Sequence, residues 1–506
     1  MITGTEDGIL HIMMKKGFDD ARYTLLQSQK ILERIAQFGD KLYLEFGGKL
    51  FDDYHASRVL PGFLPDSKIN MLCEVRDEVE IILAIHAGDI ERNKMRGDLD
   101  ISYEAEVLRL IDAFRGKGLY VSGVVITRYK GQLAADAFAE RLERLDIRVY
   151  RHYPIPGYPA NLELIVSEEG FGRNDYIETT HRLVVVTAPG PGSGKLAVCL
   201  SQLYHEDRRH VRAGYAKYET FPVWNLPLTH PVNLAYEAAT VDLDDVNMID
   251  PFHLEAHGVT AINYNRDVES FPILSAIFQK ILGQSPYSSP TDMGVNMVGY
   301  CVTDDATVRD AAKAEIIRRY YQALCNHKRG LVPAEQMLKA ELIMNKCGVS
   351  PQDRPVVAAA QMRAAEVGAP AVAISLHDGR MATGKSSALF GPSAAVLLNA
   401  MKMLGNIQHD IHLISPIVIE PILQFKAKDF GLDNPRLHSD EALVALCICA
   451  ATNPTAALAM EQLPKLRGVE AHASVILSRM ESETFRRLGI NLTCEPEYQT
   501  NKLYHA

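Results

Sequence analysis

The sequence lacks the closely spaced cysteine pairs of redox-active and zinc-binding motifs. Its eight cysteines include no C-x-x-C pair, which excludes the local signatures of a zinc knuckle and of a thioredoxin-type site. Most of these cysteines lie in apolar, helix-like stretches such as "LVALCICAA". We therefore expect buried, reduced thiols, which are typical of proteins in the cytoplasm.

Long apolar runs and targeting features are also missing. No segment has the uninterrupted apolar length of a membrane span. The first residues, "MITGTEDGILHIMMKKGFDD", contain neither the basic n-region nor the apolar h-region of a signal peptide. We therefore expect a soluble, cytoplasmic protein without a membrane partner.

A basic surface is the third absence. The formal net charge is -10 at pH 7, and lysine and arginine form no basic run. Proteins that bind nucleic acid usually carry a basic face. Nucleic acid is therefore not an expected partner.

Strand-like and helix-like segments alternate along the first part of the chain. The apolar runs are "KLYLEF", "VEIILAIHAGD", "LYVSGVVITRY", "IRVYRHYPI" and "RLVVVTA", and amphipathic segments such as "SYEAEVLRLIDAFRGKG" separate them. Near-continuous apolar strands between helices are typical of a parallel sheet covered on both faces. The pattern predicts a doubly wound, mostly parallel, Rossmann-like α/β fold, with its ligand at the carboxyl ends of the strands.

The length of the chain implies more than one domain, because 506 residues are too many for a single hydrophobic core. Residues 1–14 are expected to be a tail or an upstream extension, and residues 15–320 a Rossmann-like region with a P-loop-like turn. The sequence becomes helical after about Pro290 and regains strand-like runs such as "PAVAISL". Residues 321–506 are therefore expected to form a second, C-terminal α/β domain.

Two segments match the phosphate-loop pattern to different degrees. "GRMATGKSS", from Gly379, satisfies G-x-x-x-x-G-K-[ST] in full. However, Asp378-Gly379 is a strong two-residue hairpin turn, which would place Leu376 opposite Met381. The segment is poor in glycine, so we interpret it as a β-hairpin whose match to the motif is coincidental.

"APGPGSGKL", from Ala188, matches the pattern only in part, but it lies between an apolar strand and an amphipathic helix. Glycines let backbone N–H groups approach an anion, and a helix N-terminus adds positive partial charge. Pro189 replaces the first glycine, and Leu196 replaces the Ser or Thr that would hold Mg²⁺. The segment is a degenerate P-loop, and the alternative is a tight turn without a ligand. The predicted phosphate-binding residues are Gly190, Gly192, Ser193, Gly194 and Lys195.

A polar group in "VNMIDPFHLEAHG" is the second candidate site. Asp250 ends an apolar run, and His253, Glu255 and His257 follow two residues apart. On a strand all three side chains would face one side, and on a helix the two histidines would lie at i and i+4; either geometry suits metal ligands. A solvated turn is the other interpretation, and the H-E-x-x-H pattern of zinc proteases is absent.

The function predicted from these segments is binding of a phosphorylated small molecule or nucleotide at the degenerate P-loop. Two alternatives remain open: an enzyme that acts on this ligand, or a non-catalytic nucleotide-sensing or regulatory protein. Convergence on the loop of a second set of polar residues, such as Asp250, His253 and Glu255, would favour an enzyme. No catalytic residue is assigned. A nucleotide cofactor, a divalent metal and a homo-oligomer are compatible with the sequence, which identifies none of them.

Six segments are distinctive enough to indicate a family. They are "KLYLEFGGKLFDDYHASRVLPGF", "TAPGPGSGKLAVCLSQLYHE", "YETFPVWNLPL", "HPVNLAYEAAT", "DVNMIDPFHLEAHG" and "SPTDMGVNMVG". Together they resemble the bacterial family described as domain of unknown function 1846, from about Lys16 to the C-terminus. The resemblance implies a cytoplasmic bacterial protein with a Rossmann-like N-terminal part and a separate C-terminal domain. It implies no activity, cofactor or catalytic residue.

Overall fold

The computed structural model describes residues 15–96, 99 and 101–500. They form an N-terminal unit of Lys15–Glu237 and Leu243–Ala312, and a C-terminal unit of Ala238–Asp242 and the chain from Lys313 onward. Residues 1–14, for which the sequence predicts a tail or an upstream extension, lie outside the described residues. Within the described ranges, no helix has the length and apolar character needed to cross a membrane.

The N-terminal unit is built around one large sheet. Its strands in chain order are β1 (Lys41–Phe46), β2 (Val79–His86), β3 (Met95–Arg96), β4 (Ile101–Ser102), β5 (Tyr120–Thr127), β6 (Val149–Arg151), β7 (Leu183–Thr187), β8 (Ala213–Tyr218), β9 (Asn247–Ile249), β10 (Ile262–Tyr264) and β11 (Gly294–Val295). Seven of them form a parallel sheet in the order β11-β8-β1-β7-β2-β5-β6. The five apolar runs of the sequence form β1, β2, β5, β6 and β7, so the predicted parallel sheet is confirmed.

The central strands are buried on both faces because alternating side chains enter two separate cores. In β7, Leu183 and Val185 belong to the first core, whereas Val184 and Val186 belong to the second. All four side chains are fully buried. A strand without a solvated face carries a continuous apolar run rather than an alternating one, which explains the sequence "LVVV".

Helices cover both faces of this sheet. Those of the N-terminal part are α1 (Asp20–Phe38), α2 (Tyr54–Val59), α3 (Ser67–Glu74), α4 (Ala87–Glu91), α5 (Tyr103–Gly116), α6 (Leu133–Arg144), α7 (Leu162–Ile165), α8 (Lys195–Arg208), α9 (Pro231–Ala239), α10 (Pro251–His257), α11 (Asn265–Leu282) and α12 (Pro290–Met293). Helices α3, α5 and α6 contribute to the first core, for example through Leu72, Phe114 and Phe138. Helices α8 and α11 contribute to the second core, for example through Leu200 and Phe278. The doubly wound α/β arrangement is therefore confirmed.

The helical connections change from one face of the sheet to the other at β7. The connections that follow β1 and β2 run through α3 and α5 on the first face, whereas α8 follows β7 on the second face. Strand β7 lies between β1 and β2. In open α/β sheets, ligands bind in the crevice outside the carboxyl ends of strands where the winding changes. The loop that follows β7 lies at this position.

The C-terminal unit contains a smaller, mixed sheet. The remaining helices are α13 (Asp305–Lys328), α14 (Ala334–Lys346), α15 (Pro355–Val367), α16 (Pro392–Leu404), α17 (Pro416–Lys428), α18 (Ser439–Ala450), α19 (Pro454–Met460) and α20 (Arg479–Arg487), and the strands are β12 (Ala371–Ser375), β13 (Met381–Lys385), β14 (Glu470–Ala473) and β15 (Asn491–Cys494). The strand order is β13-β12-β14-β15. Only the β14-β15 pair is parallel. The second α/β domain is therefore confirmed.

The complete P-loop match forms the predicted β-hairpin, but its register differs from the prediction. Ser375, and not Leu376, lies opposite Met381. The loop has three residues rather than two, because Leu376 pairs with Arg380 and Gly379 adopts the left-handed φ of 83° that such a loop requires. A Cβ on Gly384 would lie 2.1 Å from the backbone of Val396 in α16. The second glycine of the motif therefore serves strand–helix packing.

The cysteines are all unpaired. Cys199, Cys301, Cys325 and Cys449 are buried as expected, whereas Cys447 is exposed. Helix α18 packs inward through residues such as Ala445, Leu446 and Cys449. Cys447 lies on the solvent side of the same helix, so the expected burial is wrong at this position.

Candidate functional site at the carboxyl edge of the parallel sheet

The loop between β7 and α8 owes its shape to its glycines. Gly192 and Gly194 adopt left-handed φ values of 77° and 89°, which side chains other than glycine rarely adopt. Gly190 has a different reason, because a Cβ there would lie 2.1 Å from the hydroxyl oxygen of Tyr103. The loop therefore approaches α5 too closely for any side chain at residue 190.

Hydrogen bonds hold the inner side of this loop. The hydroxyl of Thr127, the last residue of β5, donates to the carbonyl of Ser193 over 2.7 Å. The Ser193 hydroxyl donates to the carbonyl of Gly190 over 2.9 Å, and Ser193 is fully buried. The side chain of Ser193 therefore stabilises the loop from inside, and a ligand outside the loop would meet backbone groups and Lys195.

Helix α8 begins without a side-chain cap. Its N-cap is Gly194, which offers no side-chain acceptor, and the first helical hydrogen bond runs from Val198 N–H to the Gly194 carbonyl. The N–H groups of residues 195–197 precede that bond and have no acceptor within the helix. This end of α8 carries unpaired donors and positive partial charge, which favour an anion.

Lys195 adds a full charge at the same helix end. Its side chain is half-buried, and among the described residues it has no hydrogen-bond or ion-pair partner. Burial lowers the pKa of its ammonium group, Lys217 and Arg266 lower it further, and Glu45 opposes the shift. An unpaired, partly desolvated ammonium group beside an open helix N-terminus is an arrangement that a bound anion would stabilise.

A group of charged side chains, which we call the edge cluster, lies on the strands and helix beside Lys195. It consists of Glu45, Lys217, Glu219 and Asp267. Glu45 and Lys217 face each other in the parallel β1-β8 pair, and Glu219 follows β8 directly. Asp267 comes from the first turn of α11.

Two carboxylates of the edge cluster form ion pairs with one lysine. The Lys217 ammonium group lies 3.0 Å from Glu219 and in close contact with Asp267 and the Tyr264 hydroxyl. The Tyr215 hydroxyl donates to Glu45 over 2.9 Å. The Lys217 and Glu219 side chains are 11% and 10% exposed, so water screens these charges weakly.

Burial and neighbouring charges change the acid–base properties of the edge cluster. Burial opposes the charged form of Lys217, but Asp267, Tyr264 and Glu219 raise the pKa of this residue well above its usual value. Burial raises the pKa of Glu219 to about 7; Asp267 and Glu45 add to the shift, and Lys217 opposes it. A carboxyl group that titrates near neutral pH can act as a general acid or base.

The sequence reasoning missed the edge cluster because its members lie far apart in the chain. A signal was present in "RAGYAKYETF", where Lys217 and Glu219 are charged residues near the end of an otherwise buried strand. Charged residues at that end of a parallel strand point to the ligand edge of the sheet. Glu45 is in the same position on β1.

Asp250, from the second predicted group, lies at the N-cap of α10. One carboxylate oxygen accepts the N–H groups of Phe252 and His253, and the other accepts the N–H and hydroxyl of Thr291. Asp250 is fully buried. It therefore connects α10 to the start of α12, and all its described contacts are structural.

His253 and His257 lie one turn apart on α10 and meet an aspartate that the sequence reasoning missed. Nδ1 of His253 is 3.4 Å from Asp292, and Nε2 of His257 is 3.0 Å from the same carboxylate. Nδ1 of His253 also lies 3.0 Å from the Ser289 hydroxyl. Burial lowers the pKa of His253, and Asp292 opposes this shift.

The structure separates these residues from the rest of the second predicted group. Glu255 is exposed and does not belong to the set of side chains with metal-ligating geometry, which comprises His253, His257 and Asp292. The described side-chain hydrogen bonds of Asp250 and the two histidines either stay within α10 and its N-cap or lead to residues 289–292. None of them reaches the loop at residues 188–195.

Two family models and several bacterial relatives match the chain over nearly its whole length. The domain of unknown function DUF1846, N-terminal, matches residues 16–348, and its C-terminal counterpart matches residues 352–504. The boundary falls within "GVSPQDRP". A UPF0371 protein of Streptococcus thermophilus is 57% identical over 97% of this chain and 100% of its own length. Similar proteins of Streptococcus uberis and Streptococcus pneumoniae, also called UPF0371 protein, are 57% and 56% identical over the same shares. The chain therefore belongs to the DUF1846 family.

Proposed function

We propose that the protein binds a phosphorylated small molecule or nucleotide at the carboxyl edge of the parallel sheet and acts on it as an enzyme. The phosphate would lie against the loop of Gly190, Gly192, Ser193 and Gly194, with Lys195 as its counter-ion. The observation that carries the proposal is the half-buried Lys195, which has no described partner, at the uncapped start of α8.

The physical chemistry of this position favours a phosphate over a neutral ligand. A partly buried ammonium group without a counter-ion is costly, and a dianionic group would remove that cost. The N–H groups at the start of α8 can donate to the same oxygens. Charge-assisted hydrogen bonds contribute about 1.5–3 kcal/mol each, so a few of them suffice for micromolar binding.

Mg²⁺ has no ligand in the loop itself. Leu196 occupies the position at which phosphate loops carry the Ser or Thr that holds this ion. Asp250, the acidic residue that directly follows β9, uses its carboxylate to cap α10 and to accept hydrogen bonds from Thr291. We therefore expect phosphate binding that depends weakly on Mg²⁺.

Glu219 supports an enzyme rather than a sensor. Its carboxyl group titrates near neutral pH and lies within ion-pair distance of Lys217. Glu45 and Lys217 of the edge cluster both shift the pKa of Lys195, so the edge cluster and the loop belong to one electrostatic environment. A general acid or base beside a phosphate-binding loop is what an enzyme needs and a sensor does not.

Calorimetry of the full chain with a panel of nucleotides and sugar phosphates, with and without Mg²⁺, tests the proposal. We expect at least one phosphorylated compound to bind, and Lys195→Ala to weaken this binding by about ten- to a hundredfold. Lys117→Ala is the matched control, because Lys117 is exposed and precedes β5 at the opposite edge of the sheet. If no compound of the panel binds to the wild-type protein, the proposed function is wrong.

The phosphorylated compound that binds in this experiment can then be used to distinguish an enzyme from a sensor. Once it is known, incubation with stoichiometric wild-type protein should convert it, and Glu219→Gln should abolish conversion while binding persists. Binding without conversion by the wild-type protein would instead favour the nucleotide-sensing or regulatory alternative.

A further inference from the structure

We propose that His253, His257 and Asp292 form a binding site for a zinc ion on the N-terminal unit. This inference does not rest on the phosphate-binding loop, whose residues make no described contact with the trio. It rests on the three side chains and on the elements that hold them.

The three side chains have the separations of ligands around one ion. Their donor atoms all lie within 4.8 Å of one another. Zinc binds imidazole nitrogen and carboxylate oxygen at ~2.0–2.2 Å in a tetrahedron, which places neighbouring ligand atoms about 3.3–3.5 Å apart. The distances from Asp292 to His253 and His257 are 3.4 Å and 3.0 Å. Both distances are close to the tetrahedral separation, and a zinc ion would require the two histidine nitrogens, which lie within 4.8 Å of each other, to approach the same separation.

The trio is fixed by two short helices. The N–H of His253 donates to Asp250, which starts α10, and the His253 ring forms a T-shaped pair with Trp224 at 6.0 Å between ring centroids. The N–H of Asp292 donates to Ser289, which caps α12. Because Asp250 also binds Thr291 in α12, one buried carboxylate sets the distance between the two helices that carry the ligands.

The ligand types select the class of metal. Imidazole nitrogens favour zinc and other late first-row ions, whereas Mg²⁺ and Ca²⁺ prefer sites made of oxygen atoms. Three protein ligands leave the fourth position of a tetrahedral zinc ion open to water or to a ligand. His257 is 42% exposed in its side chain, so that open position would face solvent.

The alternative is a histidine–carboxylate hydrogen-bond network that binds no metal. In that case His257 and Asp292 would form a simple surface ion pair, and the residues would show no preference for zinc over other ions. Zinc titration distinguishes the two, because a network of this kind gains nothing from the ion.

The experiment is a calorimetric titration of the full chain, stripped of metal by a chelator, with Zn²⁺ and, separately, with Mg²⁺. We expect one Zn²⁺ per chain and no heat from Mg²⁺. His257→Ala and Asp292→Asn each remove one ligand and should weaken zinc binding by at least about 100-fold, above the 10–100-fold typical for loss of an outer-shell partner. Glu255→Gln is the matched control, because Glu255 is exposed on the same helix but lies outside the trio. This variant should bind zinc with the affinity of the wild-type protein.

Cobalt substitution identifies the ligand types. Co²⁺ in the site should give the visible absorption of a tetrahedral ion without the near-ultraviolet band of thiolate ligands, and His257→Ala should abolish the visible bands. A thiolate band would place the ion at cysteines such as the exposed Cys447 and overturn the proposal. Absence of zinc binding to the wild-type protein, or equal affinity in the wild type and in both ligand variants, would also overturn it.

Discussion

Thr127, at the end of β5, donates a hydrogen bond to the carbonyl of Ser193, in the loop that follows β7. The two strands are not neighbours, because β2 lies between them. The bond therefore ties the loop across one strand of the sheet edge. It restrains a loop that contains three glycines, and such a restraint would reduce the entropy lost if a ligand bound there.

Removing this bond should loosen the loop. Thr127→Val keeps the shape of a side chain that is 4% exposed but leaves the Ser193 carbonyl without its donor, at a cost of about 1–3 kcal/mol in the free energy of unfolding. Thr127→Ser keeps the hydroxyl and should cost less. Urea unfolding of the three proteins checks the prediction, and equal stability of the Val and Ser variants would contradict it.

Gly190 should tolerate no side chain while Tyr103 is present. The Cβ of Gly190→Ala would overlap the Tyr103 hydroxyl, so we expect a loss of about 1–3 kcal/mol in stability. Removing the hydroxyl in Gly190→Ala/Tyr103→Phe should recover part of that loss.

Gly192→Ala is the control for this contact. Nothing lies within 4 Å of a Cβ at that position, so only the left-handed backbone contributes, at roughly 1–2 kcal/mol. Thermal unfolding of the wild type, the two single variants Gly190→Ala and Tyr103→Phe, their double variant and Gly192→Ala measures the coupling. If Tyr103→Phe leaves the effect of Gly190→Ala unchanged, the close approach to Tyr103 does not explain the glycine.

Glu219 should make stability fall as the pH rises towards neutrality. Its pKa is raised from 4.5 to about 7 by burial, so the folded protein holds this proton more tightly than the unfolded chain. The resulting stabilisation is complete below about pH 4.5 and is lost as the pH rises through about 7. Relative to Glu219→Gln, which stays neutral, the wild type should lose at most about 3 kcal/mol over this interval.

Unfolding in urea at several pH values between those limits provides the test. Glu269→Gln, which changes an exposed glutamate of α11, is the control and should follow the wild type. Parallel stability curves for the wild type and Glu219→Gln would contradict the raised pKa.

Glu481 should have the opposite pH dependence. Burial alone would raise its pKa, but the nearby His438 imidazole and hydrogen bonds from Ser393 and Ser478 outweigh burial and lower the pKa to about 2. Its contribution is present above about pH 4.5 and is lost as the pH falls through about 2. At neutral pH, Glu481→Gln should destabilise the C-terminal unit by up to about 3 kcal/mol, whereas Glu461→Gln, at an exposed site, should have little effect. Equal stability of the two variants would contradict this account.

The secondary-structure elements that could be predicted are those marked by short, continuous sequence patterns. Continuous apolar runs such as "LVVV" predict parallel strands because strands buried on both faces need them. The context of "APGPGSGK" predicts a strand, a loop and a helix, which β7 and α8 confirm.

The side-chain clusters that could not be predicted depend on contacts between residues far apart in the sequence. Asp292 meets His257 across 35 residues, and Lys217 meets Asp267 across 50. No local pattern connects such pairs. The hairpin at Gly379 has a different register from the predicted one because Asp-Gly suits loops of two and of three residues. In the observed register Gly384 packs closely against α16, a contact that the local sequence does not indicate.

The most direct test of the central claim compares one ligand of the panel with its dephosphorylated counterpart, in the wild-type protein and in Lys195→Ala. If the phosphate lies on Lys195, the phosphorylated compound should bind the wild type about ten- to a hundredfold more tightly than its counterpart, and most of this preference should disappear in the variant. An undiminished preference for the phosphorylated compound in Lys195→Ala would show that the phosphate binds elsewhere and would contradict the account.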